Sequence, residues 1–119
     1  MPVSLEKTFH HFGVHVTGDV PGTEWIPVND IFLNNPNHHP QRVEWIFHPE
    51  GTYEEGATFE PHIAYTVNDL HAAIEGKEIV IPPFEMGGFC MAAFTLEDGI
   101  QVEYIQLHPG RLWFDDIAD

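Results

Sequence analysis

Positive charge is what this 119-residue sequence has least of. It contains 4 Lys and Arg residues against 19 Asp and Glu residues, which gives a formal net charge of −15 at pH 7. An electrostatic field of that sign repels phosphate backbones and anionic lipid headgroups. Nucleic acids and membrane surfaces are therefore poor candidates for partners.

Long hydrophobic runs and cysteines are also scarce. No run approaches the roughly 18 apolar residues that a membrane-spanning helix requires. The first residues, MPVSLEKTFHHF, have neither the basic start nor the continuous apolar core of a secretory signal, so we expect a cytoplasmic protein. The single cysteine, Cys90, lies in the apolar run GGFCMAAF and is predicted to be a buried core thiol.

What the sequence does contain is enough apolar residues for one compact domain, 1–119. Hydrophobic residues make up 43% and aromatic residues 13% of the chain. Residues 68–77, NDLHAAIEGK, have the Asn/Asp start, apolar spacing and Gly stop of a short helix. Strands are predicted at HFGVHV (11–16) and HIAYTV (62–67), and later at EIVIPPFEM, GFCMAAFTLEDG and IQVEYIQL.

A search for self-similarity divides the chain into two halves. Aligning HFGV with HIAY places His11 on His62, and aligning RVEWIFHPEG with QVEYIQLHPG places Glu44 on Glu103. His11 and Glu44 are 33 positions apart, whereas His62 and Glu103 are 41 positions apart. The shortfall in the first half falls within residues 17–41, which are rich in Pro and Gly. We therefore expect a loop or a single turn where the first half would otherwise have its helix.

This pattern predicts an α+β fold of two tandem βαβββ modules, about residues 9–51 and 60–110. The modules would form a curled mixed sheet around a cavity, with the helix of the first module reduced or absent. Strand alternation places His11, Gly13 and His15 on one face, and the two glutamates alternate out of apolar stripes toward the same cavity. Arg42 and Gln101 are assigned to exposed positions at strand edges.

Two imidazoles and two carboxylates converging from four strands are typical of a divalent transition-metal site. Zn, Ni, Fe, Co and Mn all accept such ligands, and an octahedral ion would keep two positions open. If only His11, His62 and Glu103 bind, the set is a facial triad with three open positions. His10 replaces His11 as the ligand if the strand register slips by one residue.

The paired halves, with HIAYTVNDL followed by EDGIQVEYIQ, resemble the glyoxalase, bleomycin-resistance and extradiol-dioxygenase group, the vicinal oxygen chelate superfamily. The resemblance covers about residues 9–108. It implies that the first-strand histidine and the last-strand glutamate of each module are the metal ligands, which here are His11, Glu44, His62 and Glu103. It also implies a homodimer, because small members of the group commonly form one.

The resemblance implies a metal-dependent lyase or isomerase that acts on a small oxygenated substrate, with Glu44 or Glu103 moving a proton. One alternative is an Fe(II) dioxygenase of the extradiol type, with His15 as a possible acid or base. Another is a metal-free protein that binds a drug or another small molecule. Four buried ligand groups without an ion would be costly, which argues against this last alternative.

The carboxyl-terminal sequence RLWFDDIAD continues beyond the last predicted strand. It contains four large apolar residues, Leu112, Trp113, Phe114 and Ile117. We expect this segment to pack on the body of the domain or on a partner subunit, since a free tail would expose all four.

Overall fold

The structure is a computed structural model that describes residues 5–16, 21–27, 29, 31–48 and 61–113. Parts of both predicted modules, including residues 49–51 and 60, lie outside the described residues. Within the described ranges, no helix has the length and apolar character needed to cross a bilayer.

Eight strands form one curled, mixed sheet with the shape of a half-barrel, and one short helix packs against it. The strands are β1 (Lys7–Val16), β2 (Glu24–Ile26), β3 (Ile31–Leu33), β4 (Val43–Phe47), β5 (His62–Val67), β6 (Glu78–Met86), β7 (Cys90–Glu97) and β8 (Ile100–Leu107). The helix is α1 (Leu70–Ile74). The predicted α+β class and the curled mixed sheet are confirmed.

The order of the strands is symmetric about the centre of the sheet. It runs β2-β3-β4-β1-β5-β8-β7-β6, with β1 and β5 antiparallel neighbours in the middle. On each side of this pair the first strand lies parallel to the last strand, β1 to β4 and β5 to β8. The remaining neighbours are antiparallel. The two halves therefore repeat one pattern of strand pairing.

Helix α1 belongs to the second half and covers β7 and β8. Asp69 caps its amino terminus by accepting a hydrogen bond from the backbone N–H of Ala72 at 3.1 Å. Its own residues Leu70 and Ala73 are buried against the sheet, and Gly76 follows the helix with a positive φ of 75°. Among the described residues, the first half has no α-helix and only a 3₁₀ turn, Pro36–His38. This agrees with the prediction for its shorter sequence.

Apolar side chains fill both faces of the sheet. On the helix side, Leu70 and Ala73 pack with Val102 and Tyr104. On the concave side, a larger cluster joins the outer strands of the two halves; its buried members are Ile26, Ile31, Leu33, Ile46, Ala64, Met86, Phe89, Cys90, Ala92, Ile105 and Trp113. Cys90 lies in this cluster as predicted.

Candidate metal centre

The register of the central strands places the four predicted ligands on the concave face. Gly13 pairs with Glu44 across the β1–β4 ladder, and Ala64 pairs with Glu103 across the β5–β8 ladder. In both halves the glutamate therefore lies opposite the residue two positions after the histidine. Residues two apart in a strand point to the same face, so each half directs one imidazole and one carboxylate inward.

The β1–β5 pairing then brings the two halves together. His11 lies opposite Ala64, and Gly13 lies opposite His62, so the two histidines occupy equivalent places in the antiparallel ladder. Glu103 Oε1 is 3.3 Å from His11 Nε2 and 3.2 Å from His62 Nε2. Glu44 Oε1 is 3.5 Å from His11 Nε2. Four side chains that are distant in sequence thus converge on one point.

This geometry fits a metal ion. Ligand atoms at about 2.1 Å from one ion lie about 3.0 to 3.4 Å apart at octahedral or tetrahedral angles, close to the separations observed here. One ligand atom each from His11, Glu44 and His62 lies within 4.8 Å of the other two. These three buried residues form a group that can hold a metal ion, and Glu103 lies against both imidazoles.

The inward-facing atoms make close polar contacts that do not reach good hydrogen-bond geometry. His11 Nε2, His62 Nε2 and Glu44 Oε2 are buried and have no hydrogen-bond partner within the described part of the chain. Leaving buried polar atoms without partners costs free energy, about 1–3 kcal/mol for each group. A bound ion would satisfy the two imidazole nitrogens, and either the ion or a proton would satisfy Glu44 Oε2.

The chain matches no protein-family model. No curated protein is significantly similar to it either. Its side-chain geometry and electrostatics therefore carry the inference of function.

The two carboxyl groups are in different electrostatic environments. Burial and the neighbouring charge of Glu103 raise the pKa of Glu44 well above its ordinary value. Burial also acts to raise the pKa of Glu103, but the adjacent imidazoles of His11 and His62 outweigh it and lower that pKa. Burial lowers the pKa of His11 and so favours the neutral, metal-binding form of its ring. Without an ion, Glu103 carries the negative charge of the centre, and Glu44 tends toward its protonated, neutral form.

The imidazole of His62 is held by packing. Gly13 lies directly beneath it, and the ring of Phe94 meets it edge-on with the ring centroids 4.9 Å apart. Glycine at position 13 is therefore required by space, because a side chain there would occupy the volume of the ring.

The imidazole of His11 is held by its sequence neighbour. The register of β1 shifts between Phe9 and His11, and His10 Nδ1 lies 2.7 Å from His11 Nδ1. His11 Nε2, rather than an atom of His10, faces the two glutamates. Of the two alternatives predicted from the sequence, the structure brings His11 into the ligand group.

Trp113 covers this side of the centre. Its ring centroid is 5.1 Å from that of His10 and 5.4 Å from that of His11, and the residue is 4% exposed. Its indole lies close enough to Glu44 to favour the carboxylate form, although Nε1 does not reach hydrogen-bond geometry. The carboxyl-terminal segment thus packs on the body of the domain at Trp113. Leu112 is exposed, and the predictions for Phe114 and Ile117 concern positions outside the described residues.

A cleft of about 670 Å³, including its open mouth, leads to the centre. Its walls are largely apolar and come from β3, β4, β6 and β7; they include Ile31, Leu33, Ile46, Ile81, Phe84, Met86 and Phe94. Four polar side chains outside the ligand group also line it, namely His15, Asn29, His48 and Gln101. No Lys or Arg is found among the described residues that line the cleft.

Of these four polar residues, the sequence assigned only His15 to the site. The prediction that Gln101 is an exposed strand-edge residue was wrong, because β8 is an interior strand and the residue is only 7% exposed. His48 was not singled out, although it begins the His-Pro pair that follows the repeated glutamate strand. Its ring stacks on that of His15 with the centroids 5.3 Å apart. Its counterpart His108 instead contacts Glu85 at 2.8 Å. The repeated His-Pro pair alone does not indicate which of the two histidines lines the cleft.

Proposed function

We propose that this chain is a divalent-metal-dependent enzyme of the glyoxalase and dioxygenase superfamily, acting on a small oxygenated substrate as a lyase or isomerase. The observation that carries the proposal is the convergence of His11, His62, Glu44 and Glu103 in a buried centre with unsatisfied inward-facing atoms. In a solvated surface cluster, water would satisfy the hydrogen-bonding capacity of such atoms.

The symmetric strand pairing supports an origin of the domain in two tandem βαβββ modules. The histidine, the residue two positions later and the glutamate opposite that residue have the same register in both halves. Two His–Glu pairs that arose independently would not be expected to share this register. The proposal also includes a cytoplasmic location and a homodimer. Measurement of the molecular mass in solution tests the homodimer.

When bound, the ion would act as a Lewis acid toward an oxygen of the substrate. Glu44 is suited to hold a proton at Oε2, because burial and Glu103 raise the pKa of its carboxyl group. Glu103 and the two imidazoles would keep their lone pairs for coordination. The apolar walls would exclude water from the substrate, and His15 and Gln101 offer polar atoms within the cleft.

The lining of the cleft also bears on the class of substrate. The described residues that line it include no Lys or Arg, so this part of the lining offers no fixed cation to a phosphate or to the carboxylates of glutathione. Glu103, together with Glu44 whenever it is ionised, would also offset the charge of a divalent ion, so the loaded centre would attract anions only weakly. We infer a small substrate with an apolar body and few negative charges.

An Fe(II) dioxygenase is the second candidate, and one observation favours it. Glu103 lies against both imidazoles, whereas Glu44 contacts His11 at a longer distance and tends toward the neutral acid. His11, His62 and Glu103 would then form a facial triad that leaves three positions for dioxygen and substrate. His15 would be the nearby acid or base.

Metal analysis separates these candidates. Untagged protein purified without chelators should contain about one divalent ion per chain, and His62→Ala and Glu103→Ala should each lose most of it. His71→Ala is the matched control, because His71 is exposed on α1 and should leave the metal content unchanged. Iron with substrate-dependent oxygen consumption would favour the dioxygenase, and Ni, Zn, Co or Mn without it would favour the lyase or isomerase. Protein that neither retains nor rebinds any of these ions would end the proposal and favour a metal-free binding protein.

A further inference from the structure

Two consecutive histidines, His10 and His11, point into the same buried region. In a regular strand, neighbouring side chains point to opposite faces. The register shift between Phe9 and His11 interrupts that alternation, and an irregularity of this kind can re-aim a side chain. His10 is accordingly only 8% exposed, and its Nδ1 lies 2.7 Å from His11 Nδ1.

The contact between the two rings fixes the position of one proton if His11 binds an ion. A hydrogen bond between two Nδ1 atoms needs one donor and one acceptor. His11 Nε2 faces Glu44 and Glu103 and must present a lone pair to the ion. A neutral imidazole with a lone pair on Nε2 carries its proton on Nδ1, so His11 donates and His10 accepts.

The surroundings of His10 hold it in place for this contact. Arg42 donates a hydrogen bond from Nε to the backbone carbonyl of His10. The backbone carbonyl of Arg42 accepts a hydrogen bond from Phe12 N at 3.0 Å. Trp113 packs edge-on against the His10 ring. The backbone and the ring of His10 are thus both anchored.

Among the described residues, the second half of the sheet has no contact equivalent to that of His10 with His11. The residue before His62 is Pro61, and His62 Nδ1 has no partner within the described ranges. His62 is held by packing against Gly13 and Phe94 instead. The role of His10 therefore does not follow from the sequence repeat.

We propose that His10 is a positioning residue that fixes the tautomer and ring orientation of His11 as a metal ligand. The proposal rests on the metal-dependent function proposed above. Metal-bound histidines commonly donate their other N–H to a carboxylate, a carbonyl or water. A neutral imidazole acceptor orients His11 in the same way, but it adds no third negative charge beside Glu44 and Glu103.

Titration with Co²⁺, followed by its visible absorption, tests this role in the full chain. His10→Phe keeps an aromatic ring against Trp113 but cannot accept the proton, and we expect it to bind Co²⁺ about 10- to 100-fold more weakly. His10→Gln keeps an acceptor oxygen and should restore affinity to within about threefold of wild type. The control His71→Gln, on the exposed face of α1, should bind as wild type does.

A nuclear magnetic resonance measurement reports on the proton itself. In the Zn²⁺-loaded, ¹⁵N-labelled wild-type protein we expect a scalar coupling between Nδ1 of His11 and Nδ1 of His10 through the shared proton. Absence of this coupling, or equal Co²⁺ affinity of His10→Phe and wild type, would overturn the role of His10 and leave the metal site standing. Wild-type protein that binds neither ion would overturn both proposals.

Discussion

Gly13 and the imidazole of His62 occupy adjoining space, because a Cβ at position 13 would overlap three atoms of that ring. The corresponding residue of the second half is Ala64, which carries a Cβ opposite His11. The two halves therefore share a register but differ in side-chain volume at this point. The position of His62 depends on this missing methyl group.

Replacing Gly13 with Ala tests this dependence. We expect Gly13→Ala to displace the His62 ring and to weaken Co²⁺ binding by at least about tenfold, since the ring could no longer reach its ligand position. Gly13 does not have a positive φ, so the change adds no backbone strain. Titration of the variant with Co²⁺ measures the effect.

The background His62→Ala provides the control for this overlap. With the ring removed, Gly13→Ala should cost no free energy of unfolding, whereas in the wild-type background the overlap should cost about 1–3 kcal/mol. Equal costs in both backgrounds, measured by denaturant unfolding without metal, would show that the ring and the new methyl group do not compete for space.

The opposite pKa shifts of the two glutamates give a second prediction at this scale. Glutamine resembles a neutral carboxyl group, so in metal-free protein Glu44→Gln should change the free energy of unfolding by less than about 0.5 kcal/mol. Glu103→Gln removes a carboxylate that both imidazoles stabilise and should cost about 1–3 kcal/mol. Urea unfolding with a chelator present measures both. A larger cost for Glu44→Gln would reverse the assignment of the two groups.

Strands and their inward faces could be predicted well from the sequence. Alternation in β1, β4, β5 and β8, together with the repeated His and Glu, predicts that the four candidate ligands share one face. The shift in register at His10 could not be predicted, because it depends on the pairing of β1 with β5 and not on local composition. Gln101 was misassigned for a similar reason: whether β8 is an edge or an interior strand is decided by β7 on one side and β5 on the other.

A polar cluster joins β7, β8 and the turn after α1 on the helix side of the sheet. Glu97 Oε2 accepts hydrogen bonds from Tyr104 at 2.6 Å and Thr95 at 2.7 Å, and Oε1 accepts one from Lys77 at 3.0 Å. Burial acts to raise the pKa of Glu97, but these three donors outweigh it and lower that pKa. The cluster therefore stabilises the fold while Glu97 is ionised.

The lowered pKa of Glu97 sets the direction of a pH effect. A carboxyl group with a lowered folded pKa contributes stability above its unfolded pKa of about 4.3, and this stability is lost as the pH falls through the folded pKa. Glu97→Gln should therefore lower the free energy of unfolding by about 1 kcal/mol at pH 7, and this difference from wild type should shrink in acid. Urea unfolding at several pH values measures the difference. Glu78→Gln, on the exposed edge of β6, should show no such trend.

Hydrogen bonds link the two ends of the half-barrel, which are far apart in the order of the strands. Asn29, between β2 and β3, donates from Nδ2 to the carbonyl of Glu85 at 2.9 Å and accepts from the backbone N–H of Gly87 at 2.7 Å. These bonds link the outer strands of the first half to the β6–β7 hairpin of the second. Asn29 also lines the cleft. The sequence contains no pattern that predicts this link, because it joins the two ends of the strand order.

Removing the link should loosen the cleft as a whole. We expect Asn29→Ala to lower the free energy of unfolding by about 1–3 kcal/mol, since it leaves the carbonyl of Glu85 and the N–H of Gly87 without this partner. Amide hydrogens of the β6–β7 turn should exchange faster, because the turn loses its contact with the first half. Hydrogen exchange followed by mass spectrometry measures this directly.

Asn34 is the matched control for this closure. Its side chain also makes two hydrogen bonds to backbone groups, donating to Val43 O at 3.0 Å and accepting from Trp45 N at 2.6 Å, but both partners belong to the first half. Asn34→Ala should therefore cost a similar free energy of unfolding while leaving exchange in the β6–β7 turn unchanged. If both variants accelerated exchange there equally, general destabilisation would account for the effect of Asn29→Ala. If only Asn29→Ala did so, the hydrogen bonds of Asn29 would be the contact that holds the two ends of the sheet together over the candidate metal centre.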